Sequence, residues 1–341
     1  MKKIFSFFAI TAVVLGMASC NGNDPETPGA QGQDKKVEYP HFQNPSAWSG
    51  TFAQMSHIMQ TNLQQPNRMP ARFAGEGEYP IYNVMWTDGT WPVTIEADYG
   101  PYEITGVDGL AHTGSINVHA TNFFEARDSE ITPTFNSYCV YGAKLHGSQR
   151  ITNKGKNGAG HLVFEVTVEQ GSLGSGSEFV YSENTTRELV AGLDDEGWLS
   201  KDFSTHRYDI LGTMTGISNV DSIPGYTITI DRTHPMVIQV GDMYPMEGHL
   251  HVVLTKPFVY KVDQSMLPEI LRGVVETISF EECELYFSGH VKGYADVYGA
   301  EVETSFTVTG YPTPIPCSIY FELDKNGVIP ESIVPSIDFN S

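Results

Sequence analysis

The stretch "GHLVFEVTVEQG", Gly160 to Gly171, alternates apolar and polar from Phe164 to Glu169. Leu162, Phe164, Val166 and Val168 share one parity, while Glu165, Thr167 and Glu169 share the other. Successive side chains on a strand point to opposite faces, so this segment builds a sheet with one dry face and one wet face. Composition agrees with a turn-rich β protein: Gly 33 and Pro 20 supply turns, and Tyr 17 and Phe 18 suit strands. "TDGT" at 87–90 and "VYGA" at 140–143 lie between β-rich runs and read as hairpin turns.

Part of this pattern occurs twice. "VYGAKLHGSQRIT", Val140 to Thr152, returns as "VYGAEVETSFTVT", Val297 to Thr309, with six of thirteen positions identical. "GSINVHATNFF", Gly114 to Phe124, lines up with "GHLHVVLTKPF", Gly248 to Phe258, and "VTIE" at 93–96 with "ITID" at 228–231. The offsets are 157, 134 and 135 residues, in one order along the chain. Such order argues for internal duplication, with an insertion in the second copy around Pro268 that carries a second, short helix pattern. The expected fold class is therefore mainly β, with antiparallel, sandwich-like sheets from two duplicated halves at 76–216 and 217–341. The Tyr-Gly pair of each copy is expected at a turn.

One helix is expected over 44–66. Asn44 would cap it and Pro45 would open it, with Pro66 marking the end. Trp48, Phe52, Met55, Met59 and Leu63 form an apolar stripe that must cover something, most simply a sheet.

The N-terminus speaks to location. Lys2 and Lys3 precede the apolar run Ile4 to Val14, which is too short to span a bilayer and suits an export signal. "LGMASC" then places Ala18 and Ser19 before Cys20, which resembles a bacterial lipobox. That resemblance implies a signal peptide over 1–19 and acylation (palmitate among the chains) of Cys20, anchoring the protein in the outer membrane. Residues 20–43 are polar, rich in Gly and Pro, and read as a flexible tether. Asp24 and Glu26 are a weak version of the acidic signal for surface display, so the membrane face stays undecided between outside and periplasm.

Lys+Arg 20 against Asp+Glu 41 gives a net charge of −21, which argues against nucleic acid as a partner. Beyond Cys20 the cysteines are Cys139, Cys283 and Cys317; three cannot all pair, so either Cys283 bridges Cys317 or all are buried thiols.

Chemistry-bearing clusters are few. His249 and His251 share a strand face and can reach one ion, with Glu247 as a third ligand. Their counterparts in the first copy are Ser115 and Asn117, so solvent-facing histidines are the plainer reading and no metal is assigned. Asp194 and Glu196 in "LDDEG", with "FEEC" at 280–283, are the carboxylates a glycoside hydrolase would need in one cleft. "DKNG" at 324–327 reads as a turn. There is no G-x-S-x-G, H-E-x-x-H or C-x-x-C pattern, no catalytic set is assigned, and no cofactor is implied. Trp86 and Trp91 flank the "TDGT" turn and Trp198 follows the acidic loop, so these rings are candidates for stacking on a ligand such as a sugar. Cross-strand packing of Trp86 on Trp91 is the competing reading.

Taken with the lipobox, "TFNSYCVYGAKLHGSQRITN" and "TTRELVAG" resemble segments of a group of all-β outer-membrane lipoproteins of Bacteroidota type, over about residues 80 to 260. The resemblance implies all-β character and an outer-membrane lipid anchor, with no activity attached. The expected function is a non-enzymatic binding module, with glycan as ligand. The alternatives are a structural part of a surface or fimbria-like envelope complex with other envelope proteins as partners, then a carboxylate-dependent hydrolase.

Overall fold

The computed structural model describes residues 40–63, 79–87, 89–174, 178–194, 199–221, 223–241, 247–261, 277–291, 297–308 and 315–323; side chains are described from residue 44 and, beyond 257, only for Glu282. The signal, the tether to residue 39, Trp198, Glu196, the helix pattern near Pro268 and "DKNG" lie outside these residues.

The alternating stretch forms β7 (Leu162–Leu173), with Leu162, Phe164, Val166 and Val168 buried and Glu165 and Glu169 exposed. It lies inside an antiparallel meander. β1 (Ile81–Thr87), β2 (Thr90–Asp98), β4 (Ala111–Ala120), β5 (Glu130–Val140) and β6 (Ala143–Lys156) precede it; β8 (Phe179–Ala191), β9 (Arg207–Ser218) and β10 (Tyr226–Ile230) follow. β12 (Glu247–Lys261), β13 (Thr277–Val291), β14 (Val297–Val308) and β15 (Ile315–Leu323) complete the path. β3 (Ile104–Thr105) pairs with β4, and β11 (Met236–Gln239) pairs with β9 and β12. The protein is mainly β, with one N-terminal helix. The ladder runs unbroken across residue 217, so the two expected halves share one hydrogen-bonded sheet.

The helix, α1, spans Pro40–Leu63 and starts before Asn44. Pro45 sits inside it, one turn past the start, so the His41 carbonyl four residues back has no N–H to accept from. The expected stripe is buried, and so are Asn44, Ala47, Thr51, Gln54, Ser56 and Ile58 on the other sides. α1 packs against β2, β4, β5, β6, β7, β8 and β9. The sheet therefore curls around the helix rather than lying beneath one face of it. Enclosure demands internal partners for the polar side chains: Thr51 donates to the Ala47 carbonyl at 2.9 Å, and Gln149 donates to that of Trp48 at 3.1 Å. Phe52 meets Phe124, Phe164 and Tyr208 edge-on with centroids 5.3–6.0 Å apart.

The repeated segments fall on corresponding strands. "VTIE" and "ITID" open on β2 and β10, and the second pair lies on β4 and β12, their direct neighbours. Val118 faces Ile95 in the first ladder, and its counterpart Val252 faces Ile228, two positions from the equivalent residue. A slip of two keeps each side chain on its face. The expectation for the Tyr-Gly pair holds once. Tyr141 and Gly142 form the β5–β6 turn with φ of 52° and 72°, both left-handed as a type I′ hairpin requires. Tyr298 and Gly299 lie instead inside β14, where Tyr298 pairs with β13 and β15 and Gly299 with β15.

The register also settles the cysteines. Cys283 and Cys317 sit on either side of Thr304, on β13 and β15. Two strand spacings separate their Cα atoms by roughly 9–10 Å, beyond the reach of a disulfide. Among the described residues Cys139 forms no disulfide, and it is half-buried rather than enclosed.

Candidate functional site

Three loops meet at one end of the meander: the β1–β2 turn, the β4–β5 loop and the β8–β9 loop. Thr87 faces Thr90 across the ladder and Gly89 has a φ of 73°, as a hairpin at "TDGT" requires. Parity sends Trp91, Val93, Ile95 and Ala97 of β2 inward, and Trp91 is the last of them, at the rim. Trp86 stands edge-on to Trp91 at 5.3 Å, and Trp91 stands edge-on to Phe123 at 4.9 Å. The tryptophans pack across the hairpin, as the packing reading expects, and Trp86 stays 37% exposed. Its strand, β1, also exposes Ile81 (41%) and Met85 (45%), and among the described residues it pairs only with β2.

Phe123 leads into Phe124, which is core, and Glu125. Burial pushes the Glu125 carboxyl up, bonds from its own amide and that of Leu199 oppose this, and the charge of Asp194 adds to the rise. Asp194 thus has a carboxyl neighbour, but it is Glu125 from another loop, which sequence reading did not single out. Phe203, in the 3₁₀ turn Phe203–Thr205, packs on His57 of α1 and on His206. Burial lowers the pKa of both histidines; Asp108 opposes it at His57, and the Ser200 carbonyl, bonded at 2.9 Å, opposes it at His206.

The expected histidine pair does not converge. The His251 ring approaches Glu282 at 3.3 Å, whereas His249 meets His234 with centroids 6.0 Å apart. Glu247 turns to Arg207, 4.0 Å away, so it is no third ligand for the pair.

Two interior networks escaped the sequence reading. On β8, Tyr181, Glu183, Thr185 and Arg187 all point inward. Arg187 donates to Glu183 at 2.9 Å and to Ser49 of α1 at 3.1 Å, and its guanidinium lies 4.5 Å from the centre of the Phe52 ring. Thr185 and Tyr181 donate to the two Glu183 oxygens at 2.5 and 3.0 Å. The second network joins Asp108, His112, Tyr138, Tyr99 and Gln54. Asp108 Oδ1 meets His112 Nε2 at 2.9 Å and accepts from Gln54 at 2.7 Å; Tyr99 donates to Gln54 at 2.8 Å, and Tyr138 meets His112 Nδ1 at 2.8 Å. The order Asp–His–Tyr looks like a relay, but His112 and Tyr138 are wholly buried, so no external substrate touches them. Both networks fasten α1 to the sheet. Shared inward parity with Tyr181 and Leu189 was the signal that would have found Glu183 and Arg187.

Comparison with protein-family models, curated proteins and solved structures finds no match. No described helix is long and apolar enough to cross a membrane.

Proposed function

We propose that this chain is a lipid-anchored, exported β protein that binds a carbohydrate at the aromatic rim of Trp86, Trp91 and Phe123 without turning it over. The observation that carries the reading is Trp86 itself. Its indole is exposed to a third of its surface yet held edge-on by Trp91, which is held by Phe123. An aromatic ring presented in a fixed pose offers an apolar face for the C–H side of a sugar ring at little entropic cost. The acidic surface favours neutral or cation-bridged glycans over anionic ones. The lipobox reading of Cys20 supports the outer-membrane anchor.

The test is a tryptophan fluorescence titration against a panel of neutral and acidic polysaccharides. Binding should shift emission, and Trp86→Ala should weaken it tenfold or more, about 1.4 kcal/mol, while leaving the unfolding midpoint nearly unchanged. No response across the panel, or equal affinity in the variant, overturns the reading. Protease treatment of intact against lysed cells assigns the membrane face.

A second reading rests on β1. Exposed Ile81 and Met85 on a strand with one described neighbour suit addition of a strand from another envelope protein. Photo-crosslinkers at those two positions would then capture one discrete partner that Trp86→Ala leaves in place.

A further inference from the structure

β10 and β11 are not successive strands joined by a hairpin. Both run antiparallel to β9 and both pair with β12, so they are one strand interrupted. Ile230 faces Gly212 and Met236 faces Ile210. The chain advances six residues while β9 advances two, so four extra residues are thrown out of the ladder within 231–235. This excursion is anchored. His249 of β12 donates its backbone N–H to the His234 carbonyl at 3.2 Å. A Cβ on Gly248 would lie 2.7 Å from the Met236 Cα and 2.9 Å from the Pro235 oxygen, so only glycine lets the excursion lie this close to β12.

The consequence is a cluster. Asp231, His234 and His249 each present a ligating atom, and the three atoms lie within 4.8 Å of one another. Its internal bonds prepare the ligands. Asp231 Oδ1 accepts from the Thr233 hydroxyl at 2.5 Å and from the backbone N–H of Thr233 and His234 at 2.7 and 3.2 Å. Thr233 Oγ1 also lies 3.1 Å from His234 Nδ1. The hydroxyl has one proton, and it goes to the carboxylate. Toward His234 the oxygen can only accept, so Nδ1 carries the ring proton and Nε2 is the bare nitrogen. Fixing the tautomer through the other ring nitrogen is how metal-binding histidines are set up.

We propose that Asp231, His234 and His249 bind a divalent transition-metal ion of the zinc class on the outer face of the sheet. Imidazole with one carboxylate suits zinc and its neighbours. Bonds of about 2.0–2.2 Å place tetrahedral ligands roughly 3.3 Å apart, so the side chains close by about 1.5 Å at most. Asp231 and His234 are exposed, and the His234 ring already stands edge-on to that of His249, with centroids 6.0 Å apart. Three protein ligands leave a position for water or a donor from a bound molecule. The net charge of −21 draws cations to the surface.

The test is titration of the purified full-length chain in detergent with Zn²⁺, by calorimetry, and with Co²⁺, by its visible spectrum. One equivalent should bind. His234→Ala and His249→Ala should each abolish the Co²⁺ bands, Thr233→Val should weaken Zn²⁺ by about 10–100-fold, and His251→Ala should bind as the parent does. Circular dichroism of each variant establishes that it is folded. Absence of stoichiometric binding in the parent, retention in both His234→Ala and His249→Ala, or equal loss in His251→Ala overturns the proposal.

Discussion

Glu183→Ala should be among the most damaging single substitutions in the described core. Glu183 and Arg187 pair at 2.9 Å with side chains 0% and 2% exposed. Removing the carboxylate leaves a guanidinium enclosed between β8 and α1, with one hydroxyl, Ser49, and the Phe52 face as remaining partners. Breaking a buried pair from one side costs about 3–5 kcal/mol, against a total stability of about 5–15 kcal/mol. With a urea slope of about 3 kcal/mol/M, the midpoint should fall by roughly 1–1.7 M. The double change Glu183→Leu with Arg187→Met removes both charges at similar volume and should restore most of the loss, since an apolar replacement of a buried pair is often neutral or better. Trp48, wholly buried on α1, is a suitable fluorescent reporter. A single-variant shift below about 0.3 M, the size of a surface ion pair, would mean that water reaches the pair. A double variant weaker than the single would mean that the charges themselves hold the helix in place.

Two further outcomes follow from packing and burial. A Cβ on Gly171 would lie 2.7 Å from Trp48 Nε1 and 2.9 Å from Val168 Cγ1; Gly171→Ala should therefore cost about 1–3 kcal/mol through overpacking, read by thermal unfolding, and no change would place α1 farther from β7. The folded-state pKa values of His57 and His206 lie below the ordinary 6.5. Their contribution is fully present above 6.5 and is lost as pH falls from there through the lowered values, because the unfolded chain takes up the protons first. Unfolding midpoints measured from pH 7.5 to 5 should fall, and the double change His57→Phe with His206→Phe should flatten that slope.

What was legible followed from period and turn chemistry. The alternation over Phe164–Glu169 and the "TDGT" hairpin signal report local geometry, and local geometry is what a sequence encodes directly. The enclosure of α1 was not legible, because Thr51, Gln54 and Ser56 look like a wet face. Whether a polar residue is outside depends on whether a partner waits inside, and Asp108, which bonds Gln54, lies 54 positions away. The same blindness hid Glu183 and Arg187. Trp86 was found as a candidate because aromatic residues beside a tight turn sit at a sheet end by construction. Glu125 was missed because its surroundings come from a different loop.

The two copies offer a test of which features the fold needs. Offsets of 135 and 134 residues place Asp231 opposite Glu96, and His249 opposite Ser115. In the first copy Glu96 stays in the ladder, facing Asn117, and Ser115 faces Asp98, so β2 runs on without an excursion. The β2–β4 ladder therefore forms without the loop that brings Asp231 and His234 to His249. A feature present in one copy and dispensable in the other is not explained by the folding of the unit. Residues 231–234 are exposed, so core packing does not explain it either. Deleting four residues from 231–235 to restore the β2-like strand should therefore preserve folding, seen as an unchanged cooperative unfolding transition. Loss of that transition would show that the excursion serves the sheet itself.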